Sequence, residues 1–229
     1  MMKRAKETER YFWLSFSLAL LSNQIAFQGS RLFEKGRFHA NLTLPFDAVI
    51  PFLPWTITIY FGCFVFWFFL YHFVARLPRQ AADRFFCANL IGKAVSFLFF
   101  VLFPTTLSRP DVNGMTVWDA LMRFLYRIDA PDNLFPSLHC MISWLCWVGI
   151  RGNKQVPVMW RLAALLMAVA VCLSTLTTRQ HVLLDVAGGI LLSEICYWVV
   201  GSEKLLRPYS VLTDKLLTGT KQIKEKLMI

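Results

Sequence analysis

Residues 48–74 read AVIPFLPWTITIYFGCFVFWFFLYHFV, a run with no Asp, Glu, Lys or Arg. A bilayer core needs about 20 apolar residues to be crossed as a helix, so this stretch reads as a membrane span. Outward from it, similar runs fall at roughly 11–27, 85–104, 136–151, 158–178 and 181–200, giving six spans. The composition agrees, because 56% of the 229 residues are hydrophobic and 15% aromatic, beyond ordinary soluble usage. The expected fold is all-α, a polytopic six-transmembrane-helix bundle in one integral membrane domain over 1–229, ending in a basic tail at 201–229. The first run is the weakest, since it holds Asn23 and Gln24. Its leader of Lys3, Arg4, Lys6 and Arg10 also resembles a signal peptide, but no small-residue cleavage site follows, so a retained helix is expected.

A net charge of +10 could suggest nucleic acid, yet its distribution argues otherwise. Basic residues concentrate in alternate loops. One side carries Lys3, Arg4, Lys6, Arg10, Arg76, Arg79, Arg84, Arg151, Lys154, Arg161, Lys204, Arg207 and the tail residues Lys215, Lys221, Lys224 and Lys226. The other has only Arg31, Lys35, Arg37, Arg109, Arg123, Arg127 and Arg179. This excess places both termini in the cytoplasm. The six cysteines lie in or beside the spans, with no C-x-x-C pair and no zinc spacing, and read as packing residues.

Two outer segments join the spans. In the longer, about 105–135, Asn113-Gly114 marks a turn, and Thr116 with Asp119 forms a variant capping box that starts a short interfacial helix between spans 3 and 4. Met115, Trp118, Leu121, Met122 and Leu125 fall on one of its faces. The earlier segment, about 28–47, is expected to form another surface helix, with His39 a solvated interface residue. Lys93 and Glu194, at matching depths inside spans 3 and 6, are expected to pair, since an unpaired charge there is costly.

Three polar clusters converge on the non-cytoplasmic face: Arg109-Pro110, Pro136-Ser137-Leu138-His139, and Arg179-Gln180-His181 with Asp185. Ionisable groups at the mouths of membrane helices are expensive, so several meeting on one face indicate function. His181 and Asp185, four apart at a helix start, share a face. The acid can hold one imidazole nitrogen and leave the other as nucleophile or base, although such a pair alone also fits a histidine packed at a helix end. Pro136 sets a helix start whose free N–H groups, near Ser137 and His139, suit an anion. The guanidinium forks of Arg109 and Arg179 suit phosphate oxygens; singly, each also fits a charge among lipid headgroups.

Together, Arg109-Pro110, Pro136-Ser137-Leu138-His139 and the run from Ser174 through His181 to Asp185 resemble the three signature motifs of the type 2 phosphatidic acid phosphatase superfamily, over about residues 85–200. The resemblance implies a reaction without metal or cofactor. His181 attacks phosphorus, Asp185 orients it, and His139 protonates the leaving oxygen; the phosphohistidine then passes to water or another alcohol, with His139 as base. Arg109, Arg179 and Ser137 would hold the phosphate oxygens, with Ser174, Asn133 and Pro110 in support. Leu102 stands where the family usually has Lys, and Thr175 where it usually has Arg; Thr177-Thr178-Arg179-Gln180-His181 is similar to the sphingomyelin and inositol-phosphorylceramide synthase branch. In that branch the phosphoryl acceptor is an alcohol; the expected activity from the motifs as a whole is a lipid phosphate phosphatase of the plasma membrane with an extracytoplasmic site. A lipid phosphotransferase and a non-catalytic lipid-phosphate binder or transporter are the alternatives. The expected partners are a lipid phosphate and membrane lipids, with no nucleic acid and the oligomeric state open.

Overall fold

Backbone polar groups that enter lipid must be satisfied within their own segment, and the computed structural model is helical over most of its length. It describes residues 2–33 and 36–227, the side chains of 2–4 and 220–227 excepted. Lys35 and the side chains of Lys3, Arg4, Lys221, Lys224 and Lys226 therefore lie outside the described residues.

The helices are α1 (Met2–Gln24), α2 (Ile57–Val74), α3 (Arg79–Leu102), α4 (Val117–Ile128), α5 (Leu138–Arg151), α6 (Val158–Thr177), α7 (Leu183–Val199) and α8 (Glu203–Leu227). The helices α2, α3 and α6 are long and apolar enough to cross a membrane, and α7 with α8, bent by 87°, passes the same test as a pair. Phe64, Val65 and Phe69 on α2 and Leu162, Leu166 and Leu173 on α6 stand exposed, an outward apolar surface suited to lipid rather than water. On the expected fourth span, α5 has only 14 residues, yet it is the hub of the bundle, packed on α7, α6, α2 and α3. Polar bonds tie the bundle: Trp67 of α2 donates from Nε1 to Ser143 Oγ of α5 at 2.9 Å, and Asn89 of α3 donates from Nδ2 to Tyr71 Oη of α2 at 2.6 Å. Bonds of this kind contribute about 0.6 to 2 kcal/mol in apolar surroundings.

The capping box at Thr116 and Asp119 forms and starts α4. Met122 and Leu125 are buried against Ile57 and Tyr60 at the start of α2. Met115 and Trp118, expected on the same face, are instead exposed, because Met115 precedes the helix and only its middle reaches the bundle.

Three expectations are corrected. The 48–74 run is not one helix: residues 45–56 form two short 3-10 turns, Pro45–Val49 and Pro54–Thr56, and α2 begins at Ile57. Pro51 and Pro54 lack the N–H groups a continuing helix requires. Among its described residues the 28–47 segment forms no surface helix of its own; it holds a three-residue turn, Arg31–Phe33, and a short strand β1 (Ala40–Asn41) paired parallel with β2 (Thr105–Thr106). Lys93 does not meet Glu194. Its ammonium donates to Ala19 O at 2.7 Å, whereas Glu194 takes a two-pronged ion pair from Arg151, both contacts 2.6 Å, and a bond from Trp144 Nε1. Equal depth did not mean a shared helix face. The basic tail forms α8, which turns back onto α1 and α3, where Asp83 accepts from Tyr11, Arg79 and Ser210.

Candidate active site

Helix α5 begins where Ser137 Oγ accepts from Cys140 N at 3.3 Å, a standard N-cap that satisfies one of the free N–H groups at a helix start. The segment before it is strapped down. Thr105 Oγ1 accepts from the N–H groups of Leu134 and Phe135, each at 3.0 Å. Asn133, at φ 54°, donates from Nδ2 to Phe27 O and Ser30 Oγ. Asparagine tolerates this left-handed backbone better than most residues. The result is that His139, two residues beyond the cap, projects into a cavity between α1, α2, α4 and the turn before α7.

The second histidine reaches the same cavity from the end of α6. Arg179 takes a left-handed conformation, φ 53°, which stops the helix, and Thr175 O then accepts from both Gln180 N and His181 N. His181 lies two residues before α7, not within it. Its Nδ1 is 3.3 Å from Asp185 Oδ2, which also accepts from Val182 N. An ionised acid at Nδ1 fixes the tautomer and leaves the Nε2 lone pair free. Ser137 N donates to Asp185 O at 3.1 Å, so the two histidine motifs are joined by their backbones.

The rings of His139 and His181 have centres 6.1 Å apart, close enough for one phosphate to touch both. His139 is seated among Tyr60, Trp67 and Phe64, with ring centres at 4.5, 5.6 and 6.0 Å. The cavity has a volume of about 340 Å³, and its lining includes Asn23, Tyr60, Asp129, Asn133, Gln180 and both histidines.

The remaining predicted residues lie around this centre. Arg109 stands behind the cavity wall: its guanidinium donates to Asp129 O and, at 2.6 Å, to Gln180 Oε1, and it stacks 4.7 Å over the Tyr126 ring. Burial lowers its pKa, opposed by the Asp129 carboxylate. Arg179 turns away from the cavity and donates to Asp47 O and Ile50 O. Ser137 is fully buried as a cap, Ser174 is buried within α6 with its hydroxyl on Val171 O, and Pro110 is exposed. Sequence reasoning gave no site role to three groups. Gln180 lines the cavity beside His181. Asp129 lines it too, with burial raising its pKa against the opposing pull of Arg109. Asp47, almost wholly buried, accepts from Leu183 N at 2.8 Å and Leu44 N at 2.7 Å, fixing the start of α7. A carboxylate two residues after Pro45 was the available signal for the last.

The family model of the PAP2 superfamily matches residues 39–199. The chain belongs to the PAP2 superfamily. The match takes in both histidines, Asp185, Arg109 and the unpredicted Asp47, Asp129 and Gln180, and it supports lipid-phosphate chemistry of the phosphatase or phosphotransferase type. No curated protein and no solved structure matches the chain. Within this PAP2 protein the cavity wall formed by Asn23, Gln24, Phe27 and Gln28 comes from the chain before the matched region.

Proposed function

We propose that this PAP2 protein is a membrane-embedded lipid phosphate phosphatase that cleaves a phosphomonoester or diphosphate through a phosphohistidine on His181. The observation that carries the proposal is that His139 and His181 face one cavity, with Asp185 behind the second. In the first step His181 Nε2 bonds to phosphorus as the ester P–O bond breaks, and His139 gives its proton to the leaving oxygen. In the second, His139 takes the proton of an incoming water as its oxygen displaces His181. The six-span reading places the site extracytoplasmically, at headgroup depth in the plasma membrane, with both termini cytoplasmic and α4 interfacial.

One observation favours transfer to an alcohol as the second reading. Asn23 Oδ1 and Asn133 Oδ1 are buried acceptors without a hydrogen-bond donor, both on residues lining the cavity. Hydroxyl groups of an acceptor would satisfy them.

The deciding experiment incubates the purified protein with ³²P-labelled lipid phosphates in detergent and chelator, with and without a lipid alcohol. Free phosphate in both arms supports the phosphatase, and a new labelled phospholipid supports the transferase. Acid-labile label retained on the wild type and lost in His181→Ala identifies the intermediate. Turnover only with added divalent metal, or equal turnover by His181→Ala, would refute the mechanism.

A further inference from the structure

Among the described residues, no Arg or Lys lines the catalytic cavity, which leaves open what grips the phosphate besides the histidines. Gln180 is 2% exposed, lines the cavity next to His181, and has one half of its amide committed. Its Oε1 accepts from Arg109 at 2.6 Å. A guanidinium can only donate, so the amide orientation is fixed: the oxygen faces Arg109 and the NH2 group faces elsewhere. That Nε2 is buried and has no partner. A buried donor without an acceptor is destabilising, and its persistence in a cavity wall is explained by a ligand oxygen that completes it.

Resting on the phosphate-transfer reading above, we infer that Gln180 Nε2 is a phosphate-oxygen donor and that Arg109 acts as its positioning residue. Arg109 holds the amide in register and places its own positive charge one layer behind it. A preorganised donor of this kind needs no rearrangement as charge develops on the phosphoryl oxygens. Tyr126 beneath the guanidinium and the Asp129 carbonyl beside it hold Arg109 in turn.

The test uses full-length protein in detergent and vanadate as the phosphate-shaped probe, with affinity read by calorimetry so that the result does not depend on turnover. Gln180→Glu is the decisive variant, because it keeps the shape of the side chain and an oxygen for Arg109 while replacing the NH2 donor with an anionic acceptor. The expected result is vanadate binding weakened about tenfold or more in Gln180→Glu and Gln180→Ala, as for loss of a hydrogen bond to a charged group, with the thermal midpoint of Gln180→Glu unchanged. Arg109→Lys, which offers one point charge instead of a fork, is expected to weaken vanadate less than Gln180→Glu does. Wild-type affinity in Gln180→Glu overturns the inference, as does a wild-type protein that binds no vanadate. A wild type that binds vanadate through Gln180 yet releases no phosphate from any lipid would refute the proposed enzyme while leaving this grip standing.

Discussion

Gly189→Ala tests whether the two histidine motifs owe their registration to backbone contact between α5 and α7. A Cβ built on Gly189 would lie 2.5 Å from Ser137 O, 3.0 Å from Met141 N and 3.1 Å from Cys140 Cβ. Two of these three are main-chain atoms, so no side chain can swing aside. To bring the first contact to even 3.0 Å the helices must part by about half an ångström there, and overpacking of this kind costs about 1–3 kcal/mol. The displaced atoms belong to the first turn of α5, where Ser137 caps the helix and His139 projects. A shift approaching 1 Å at reacting groups lowers rates by about 100-fold, so a loss of about tenfold or more is expected at half that shift. Gly92→Ala is the control. Its Cβ would meet Met141 Sδ at 3.0 Å and Cε at 3.2 Å, the end of a flexible chain, and the change should be nearly silent. The assays are the thermal midpoint in detergent, by tryptophan fluorescence, and phosphate release. A Gly189→Ala protein matching wild type in both would refute the argument that this contact sets the histidine spacing.

Asp47→Ala removes two charge-assisted bonds to backbone N–H groups and is expected to cost about 2–4 kcal/mol, with Asp47→Asn intermediate; an unchanged midpoint would count against its anchoring role. Lys93→Met should equal or exceed the wild-type midpoint, because the buried ammonium has one carbonyl partner, and that carbonyl keeps Ser22 Oγ as a donor; a buried charge gives way to apolar surface without leaving an orphan. Exchanging Lys93 and Glu194 should rescue nothing, since Glu194 belongs to Arg151. Asp129→Asn tests the sign of a pKa shift. Burial holds this carboxyl above its ordinary value, so its favourable contribution is present below the unfolded pKa and lost as pH rises through the folded one. Asp129→Asn should therefore raise the midpoint near neutral pH, with the gain shrinking towards an ordinary carboxyl pKa of about 3.9; a midpoint lowered at neutral pH would show that the ionised form is the stabilising one.

The helical character and several long apolar runs were legible because each run meets a length condition independent of its neighbours. The 3.6-residue repeat likewise put Met122 and Leu125 on one face of α4, and these two are buried. What could not be read was set by the angle of a side chain around its helix. Lys93 and Glu194 share a depth but face different neighbours, and two prolines turned the start of the 48–74 run into 3-10 turns. At the site, the motifs brought His139, His181 and Asp185 into view, whereas Asp129 and Gln180 depend on long-range packing. Tyr60 was hidden among aromatic residues of one span.

The arginines show how one backbone torsion changes a chemical reading. From residue types alone, Arg179 is the natural substitute for the basic group absent at Thr175, since it lies two positions before His181. Its left-handed φ of 53° reverses the chain after α6, directing the guanidinium onto Asp47 O and Ile50 O, while Gln180 and His181, both bonded to Thr175 O, turn to the cavity. Arg109 is likewise one layer back, bonded to two residues of the cavity wall, Gln180 and Asp129. Among the described residues, arginine and lysine thus surround the site without lining it. In a region of low dielectric a cation one side chain away still acts on an anion, while the bonds that Arg109 and Arg179 do make hold loops and an amide in place. The arrangement favours a site in which neutral donors touch the phosphate and the charges behind them fix where those donors point.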